Sequence, residues 1–561
     1  MPRLRRACLV LVPTVLIAAC ATTATGPATP RHTLQVDVPG ITHPDGETAA
    51  WWFRDGAAQA AERGAMGGRA KNVILFVGDG MSLPTVAAAR ILAGQRAGQP
   101  GEHNRLSWEH FPATALSKTY NTDSQTPDSA GTMSAMATGA KTRAGVISIG
   151  QSADFGDCGG ALAAPLATLW ELAAASGMAT GVVSTARLTH ATPAATLSHS
   201  ASRGWESSVP AEAKAAGCID IARQMIESPF GTGPEVMMGG GRTNFMPADQ
   251  HDPEYPEETG RRKDGRDLIA QWKQRHPDGS YVWNAEQFAA APTDAPLLAL
   301  FEPSHMQYEH DRPNDAAGEP SLAEMTRAAI TRLADDSDGY VLLVEGGRID
   351  HAHHDGNAYR ALTDTIALSD AVQAAVDMTS AEDTLVLVTA DHAHTLSFVG
   401  YPMRGNPILG KVREVNDEGV AEFILDARGM PYTTLSYANG PGYTGASKSQ
   451  PAGPKSFPHD ADGYQAANGR PDLTDVDTTA PDYMQEALVP TSSESHGGDD
   501  VGIWARGPGS AAVRGSVEQN TIFHFLLQST PHLREAVCEA GACNADGVPV
   551  ELPTAAALNP R

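Results

Sequence analysis

The sequence predicts an α/β protein, a three-layer sandwich with a large, mostly parallel central sheet flanked by helices. Two observations carry this. Six apolar runs, "NVILFV", "ATGVVS", "EVMMGG", "YVLLVE", "TLVLVTA" and "VGIWA", are continuous and not alternating, which suits strands buried on both faces of a parallel sheet. Helical patterns such as "PLATLWELAAASG" and "LAEMTRAAITRLADD" fall between them, and strands alternating with helices give layered α/β architectures.

The elements divide the chain into three parts, the last carrying an insertion. Residues 1–19, from "MPRLRRACLVLVPTVLIAAC", join an arginine-rich start to a short apolar run, the pattern of an export signal. The run is too short for a comfortable transmembrane helix. "IAAC" resembles the lipobox of bacterial lipoproteins, which makes Cys20 the acylated first residue after cleavage. The other reading is a secreted protein cut beside Ala19 or Ala21. Ala21 is not the Asp that retains such lipoproteins at the inner membrane, so the pattern points to the outer membrane, facing the periplasm or the cell surface. Residues 20–45 are rich in Ala, Thr and Pro and read as a flexible tether. Residues 46–561 are one folded domain. Within it, residues 401–495 are dense in Gly, Pro, Ser and Asp and read as an irregular insertion with little core of its own. "DQHDPEYPEETGRRKDG" is a second, shorter loop-like region.

Composition narrows the function. There are 66 acidic against 41 basic residues, a formal net charge of −25, so no basic excess is available for nucleic-acid binding. An anionic substrate would have to be drawn by local cations such as bound metals. Beyond the signal lie Cys158, Cys218, Cys538 and Cys543. An even number in an exported chain suggests two disulfides, with three connectivities open. Cys538–Cys543 would close a short loop and Cys158–Cys218 a long one.

Acidic and imidazole groups gather at strand ends. Asp79 ends "NVILFVGDG". "YVLLVEGGRIDHAHHD" supplies Glu345, Asp350 and His354, "TLVLVTADHAH" supplies Asp391, His392 and His394, and "TSSESHGGDD", ahead of "VGIWA", supplies His496. Carboxyl ends of parallel strands converge on ligand sites. So many carboxylates in one place would repel and raise one another's pKa unless divalent cations were bound. Imidazole with carboxylate suits zinc, and carboxylate with hydroxyl suits magnesium. Asp350 and His354, four apart, face the same way on a helical turn.

At these residues the sequence resembles the alkaline phosphatase family, and its animal branch more than the compact bacterial prototype. "KNVILFVGDGM", "TPDSAGTMSAMATG", "RLTHATPAATLSHSASRGW", "LFEP", "VEGGRIDHAHHD", "TADHAHT", "YANGPGY" and "SESHGGDDVGIWARGP" carry the likeness, in family order, from about Lys71 to about Cys543. The resemblance implies a broad-specificity phosphomonoester hydrolase working through a covalent phosphoserine. Ser129 would be the nucleophile and Arg203 the bidentate phosphate clamp, with Arg187 the competing arginine by residue type. Asp350, His354 and His496 would hold one zinc; Asp79, Asp391 and His392 a second; Asp79, Thr192 and Glu345 a magnesium. His190 and His394 would sit behind these ligands. Glu254, the Phe301 carbonyl, Glu302 and Glu319 fall near the family's additional calcium site. The insertion matches the region at the dimer interface of relatives, so a homodimer is implied, and "GETAAWWFRDGAAQAAERG" corresponds to the helix that animal members exchange across the dimer. The membrane would be met only through the lipid.

Ser129 is expected in the first turn of a helix, where free N–H groups favour a bound phosphate. Asp128 would cap that helix, and Ala130 and Gly131 would leave room for phosphate and metals. The rival readings are a phosphodiesterase or sulfatase on the same scaffold, and a non-catalytic metal- or phosphate-binding lipoprotein. A "CxPxR"-type sulfatase motif is absent around Ser129, Thr192 and Glu345 favour a monoesterase, and Ser129 together with Arg203 disfavours a binding protein.

Overall fold

The structure is a computed structural model that describes residues 34, 36–37, 46–231 and 233–558. The signal, Cys20 and nearly all of the tether lie outside the described residues. Ten strands form the central sheet: β1 (Asn72–Gly78), β2 (Ala113–Lys118), β3 (Ala179–Arg187), β4 (Val236–Gly240), β5 (Ser280–Val282), β6 (Leu297–Leu300), β7 (Tyr340–Gly346), β8 (Thr384–Ala390), β9 (Val501–Arg506) and β10 (Arg514–Glu518). Their order is β10-β2-β9-β8-β1-β7-β3-β4-β6-β5.

All six apolar runs are strands of this sheet. Five are parallel as expected, but "VGIWA" is not: β9 is antiparallel to both β8 and β2. A continuous apolar run reports burial on two faces and is blind to direction. The reversal brings the start of β9, just after His496, to the edge where β8 and β1 end. Four strands were not read from the sequence. β2 alternates buried and exposed residues, β5 and β6 have only three and four residues, and β10 is largely exposed.

The two faces of β1 show the layering. Val73, Leu75 and Val77 share one buried cluster with Met133, Trp170 and Phe523. Ile74 and Phe76, pointing the other way, share a second with Val86, Leu362 and Val372. Successive side chains of a strand face opposite sides, so one apolar run serves both helical layers.

The helix predicted in "PLATLWELAAASG" begins later than the pattern suggested, at Leu169. Thr168 caps it in a reciprocal box with Glu171, and Gly177 ends it. "LAEMTRAAITRL" is the helix Leu322–Leu333, capped in the same way by Ser321 and Glu324. The N-terminal segment is the helix Ala49–Glu62. It packs on the chain's own Thr521–Ser529 helix, with the Phe53 ring 4.5 Å from His524 and Asn520 donating to the Trp52 carbonyl at 2.7 Å.

The insertion is more ordered than its composition implied. Leu396–Phe398, Leu435–Gly440 and Ala487–Pro490 form a small sheet, and Tyr437 within it is buried. Both disulfides form, Cys158–Cys218 and Cys538–Cys543, with Cα–Cα distances of 6.0 and 4.8 Å.

Candidate active site

The register of the sheet assembles the site. Gly78 of β1 lies opposite Ala390 of β8 and Gly346 of β7, so Asp79 and Asp391, one residue beyond their strands, are neighbours, with Glu345 beside them at the end of β7. Gly80 turns the chain with φ of +67°, and a Cβ there would lie 2.3 Å from the His394 ring. Only glycine permits both the backbone angle and the close approach.

Ser129 is the first residue of the helix Ser129–Thr138. Asp128 caps it, accepting from the Gly131 N–H at 3.1 Å. The Ser129 hydroxyl is buried, 3.1 Å from His392 Nε2 and 3.4 Å from Asp79 Oδ1. At Gly131 the small residue also has a packing cause. A Cβ on Gly131 would meet the Asn121 side chain at 2.3 Å, so the glycine makes room for Asn121, which accepts from the Asp128 N–H at 2.9 Å. All ten residues of this helix are buried.

The imidazoles are oriented by their Nδ1 atoms. His392 Nδ1 faces the Ala393 carbonyl at 3.2 Å, His496 Nδ1 the Pro127 carbonyl at 2.8 Å, and His354 Nδ1 the Glu494 carbonyl. A carbonyl only accepts, so each Nδ1 carries the proton, and in the neutral ring Nε2 is then left bare. The bare Nε2 atoms of His354 and His496 then lie 3.2 Å apart, and each is 3.4 Å from Asp350 Oδ1. Three such acceptors facing one another suit a shared cation. His392 Nε2 likewise lies 3.3 Å from Asp79 Oδ1 and 3.4 Å from Asp391 Oδ2. Burial holds the His354 and His392 rings below the usual imidazole range, which keeps them neutral and fit to ligate.

Three of the four carboxylates lack counter-charge, and Asp350 differs. Burial, then Asp391, Asp350 and Glu345, push Asp79 well above the usual carboxylate range. Burial likewise raises Glu345 to about 8 and raises Asp391. Burial would raise Asp350 too, but His354, His394 and His496 hold it well below. Asp79 Oδ2, Glu345 Oε1, Thr192 Oγ1 and His190 Nδ1 are buried with no hydrogen-bond partner, and Asp79, His190 and Glu345 bring ligand-capable atoms within 4.8 Å of one another. The Thr192 hydroxyl is near enough to Glu345 to help lower its pKa. Orphaned buried oxygens of this kind fit a hard cation. The predicted sets, Asp350/His354/His496, Asp79/Asp391/His392 and Asp79/Thr192/Glu345, thus have the donor chemistry for the metals assigned to them.

Arg203 is tied to the cap of the Ser129 helix and to His190. Its Nη1 donates to Asp128 Oδ2 at 3.1 Å and its Nη2 to His190 Nε2 at 3.0 Å. Arg187, the competing arginine, is held in a two-pronged pair with the Glu206 carboxylate at 2.7 and 2.8 Å, whereas Arg203 meets a carboxylate through one nitrogen only. His394 stands behind the ligands, its Nε2 2.6 Å from Asp350 Oδ1.

Three contributors escaped the sequence reading. Ser184 donates to Glu345 Oε2. Glu494 contacts His394, His354 and Thr395. Asp315 joins Glu254 and Glu302 with oxygens within 4.8 Å, in the region expected for calcium. Glu319 lies outside that group of three, accepting from the Gln307 N–H at 2.9 Å, and the Phe301 carbonyl accepts from Arg242 at 3.0 Å. Single polar side chains give no periodic signal, and only the fold reveals where they point.

The sequence profile of the Alkaline phosphatase family matches residues 70–530. The chain belongs to the alkaline phosphatase family. An alkaline phosphatase of Gadus morhua is 41% identical over 468 residues, covering 82% of this chain and 91% of the relative. The tissue-nonspecific alkaline phosphatase of Gallus gallus is also 41% identical, covering 82% and 84%. Among solved structures, the Thermus thermophilus alkaline phosphatase aligns with a TM-score of 0.57 at 27% identity, over 83% of this chain and 92% of that one. The alkaline phosphatase of the Antarctic bacterium TAB5, 21% identical, shares the fold with a TM-score of 0.54, over 83% and 99%. As a member of the alkaline phosphatase family, the protein is a phosphomonoester hydrolase that binds divalent metals.

Proposed function

We propose that this alkaline phosphatase works through a covalent phosphoserine on Ser129, and that it requires two zinc ions and one magnesium ion. The observation that carries the reading is the placement of the Ser129 hydroxyl, 3.1 Å from the bare Nε2 of His392 and 3.4 Å from Asp79, at the amino end of a ten-residue helix. Asp350, His354 and His496 would hold one zinc, Asp79, Asp391 and His392 the second, and Asp79, Thr192 and Glu345 the magnesium. When bound, these ions supply Lewis acidity that favours the serine alkoxide and stabilises oxygens on which charge develops.

The chain's own groups supply the rest. Ser129 Oγ attacks phosphorus; the Oγ–P bond forms, the ester P–O bond breaks, and the alcohol leaves with a proton. Water then attacks phosphorus, the Oγ–P bond breaks, and Ser129 is restored as inorganic phosphate departs. The N–H groups of the first helical turn favour the phosphoryl charge. Arg203 meets two phosphoryl oxygens with its planar fork, which a lysine cannot reproduce. The chemistry at Ser129 requires no recognition of the alcohol, which supports a broad range of monoesters.

Glu254, Glu302 and Glu319, with the Phe301 carbonyl, would hold a calcium ion, and Asp315 adds a further carboxylate to this set. Burial pushes Glu254 and Glu302 up to about 7 and Glu319 to about 9, and Glu254 Oε1, Asp315 Oδ1 and Glu319 Oε2 are buried without partners. Export and lipid attachment at Cys20 rest on the signal and the "IAAC" motif. Among the described residues no helix is long and apolar enough to cross a membrane. A homodimer joined through the insertion is supported by its exposed apolar side chains, Tyr401 at 89% and Leu488 at 79% exposure.

The test is hydrolysis of p-nitrophenyl phosphate at alkaline pH after chelation and stepwise return of metals. Zinc alone is expected to restore part of the turnover and zinc with magnesium the whole. Full turnover by metal-stripped protein would refute the reading.

A further inference from the structure

Glu494 lies two residues before His496, in a loop that reads as solvated, yet its side chain is wholly buried. Oε2 takes a hydrogen bond from His394 Nδ1. Oε1 takes two, from the Thr395 N–H at 2.7 Å and from the Thr395 hydroxyl. Its backbone is engaged as well. The Glu494 carbonyl accepts from His354 Nδ1, and the Glu494 N–H donates at 2.9 Å to the carbonyl of His354, the last residue of the helix Arg348–His354. One residue thus ties together the end of that helix, the segment after Asp391 and the loop to His496.

We propose that Glu494 is a positioning residue for the first zinc, through two routes. Its carbonyl sets the His354 ring so that Nε2 faces the site. Its carboxylate orients His394, whose Nε2 reaches Asp350 Oδ1 at 2.6 Å and pins the carboxylate that lies 3.4 Å from both His354 and His496. The inference rests on the assignment of Asp350, His354 and His496 as zinc ligands. Partners that orient metal ligands change affinity by about 10–100-fold when altered.

The chemistry calls for a carboxylate and not its amide. Three donors converge on the two oxygens, so the group must be acceptor-only. Glutamine has the same shape but presents an NH2 to one of these donors, which breaks either the His394 or the Thr395 contact. The backbone route through His354 survives. Space is also limited, because a Cβ on Gly440 would lie 3.0 Å from Glu494 Cβ.

The experiment uses the full, zinc- and magnesium-loaded protein and follows release of zinc to a coloured chelator, for wild type, Glu494→Gln and the milder Thr395→Val. Thermal unfolding of the metal-free forms is measured beside it. Glu494→Gln is expected to release the first zinc about ten-fold faster or more, with turnover recovered in excess zinc and metal-free stability close to wild type. Thr395→Val is expected to shift release in the same direction by less, and it carries the test if the glutamine variant does not fold. Release no faster than wild type in a folded variant overturns the inference. So does a loss of metal-free stability that excess zinc does not repair, which marks a purely structural role. A wild-type protein that holds no zinc overturns the reading of the site itself.

Discussion

Asp128 divides its carboxylate between two tasks: Oδ2 accepts from Arg203 Nη1 at 3.1 Å, while Oδ1 accepts from the N–H groups of Gly131 at 3.1 Å and Gly145 at 3.0 Å. The residue that caps the helix of Ser129 also aims the arginine across from it. The expected cap was correct, and the tie to Arg203 adds a link between helix start and phosphate clamp.

The two tasks separate by mutation. Asparagine caps a helix about as well as aspartate, whereas alanine costs about 1 kcal/mol. Asp128→Asn is therefore expected to keep its stability and loosen Arg203, weakening inhibition by inorganic phosphate by about ten-fold, or about 1.4 kcal/mol. Asp128→Ala should add a loss of stability. Inhibition constants and urea midpoints, measured together, check both.

Arg203 and Arg187 make opposite predictions. Arg203→Lys keeps a charge but loses the fork, and kcat/KM should fall by roughly 10–100-fold, on the scale of about 1.5–3 kcal/mol for charge-assisted bonds. Arg187 already spends its fork on Glu206, so Arg187→Lys should act mainly on stability. Equal losses of kcat/KM in steady-state kinetics would contradict this ordering.

Thr192 offers a single-atom test of the magnesium set. Its hydroxyl is buried without a partner, and valine has nearly its shape. Thr192→Val is expected to abolish stimulation by added magnesium while leaving zinc content at the wild-type level, read by magnesium titration of activity and by metal analysis.

His524 gives a pH dependence away from the metals. It is buried between the Phe53 and Phe523 rings with its Nε2 3.3 Å from the Gly139 carbonyl, and burial brings its pKa down to about 3. In the unfolded chain the value is about 6.5. Between these values the unfolded state binds the extra proton, so stability is present above about pH 6.5 and is lost as pH falls toward 3. From pH 7 to 4.5, metal-free wild type should lose on the order of 2 kcal/mol more than His524→Gln, whose amide can still donate to Gly139. Urea unfolding at the two pH values measures the difference.

Much of the site was legible because its parts follow strong signals. Asp79 and Asp391 stand at the ends of continuous apolar strands, and burial on two faces is written in those runs. The direction of β9 is not, since a run carries no arrow, and β2 was invisible as a buried strand because one face is exposed. Glu494 and Asp315 are single polar residues in segments that would be equally at home in water, and Ser184 is a lone hydroxyl near the end of the apolar strand β3. Their roles come from three-dimensional closure: a loop that returns to His354, a strand neighbour that faces Glu345, a turn that approaches Glu254. The packing of Gly131 against Asn121 cannot be inferred from a run of small residues.

The central claim is that Ser129 carries the phosphoryl group. The most direct measurement is to quench the metal-loaded protein with acid after brief exposure to a radiolabelled phosphate monoester, and to map the label by peptide mass spectrometry. One phosphoryl group on the peptide containing Ser129 is predicted, with none in Ser129→Ala, which should retain its metals and lose turnover. Label on another residue, or undiminished turnover by Ser129→Ala, would contradict the account.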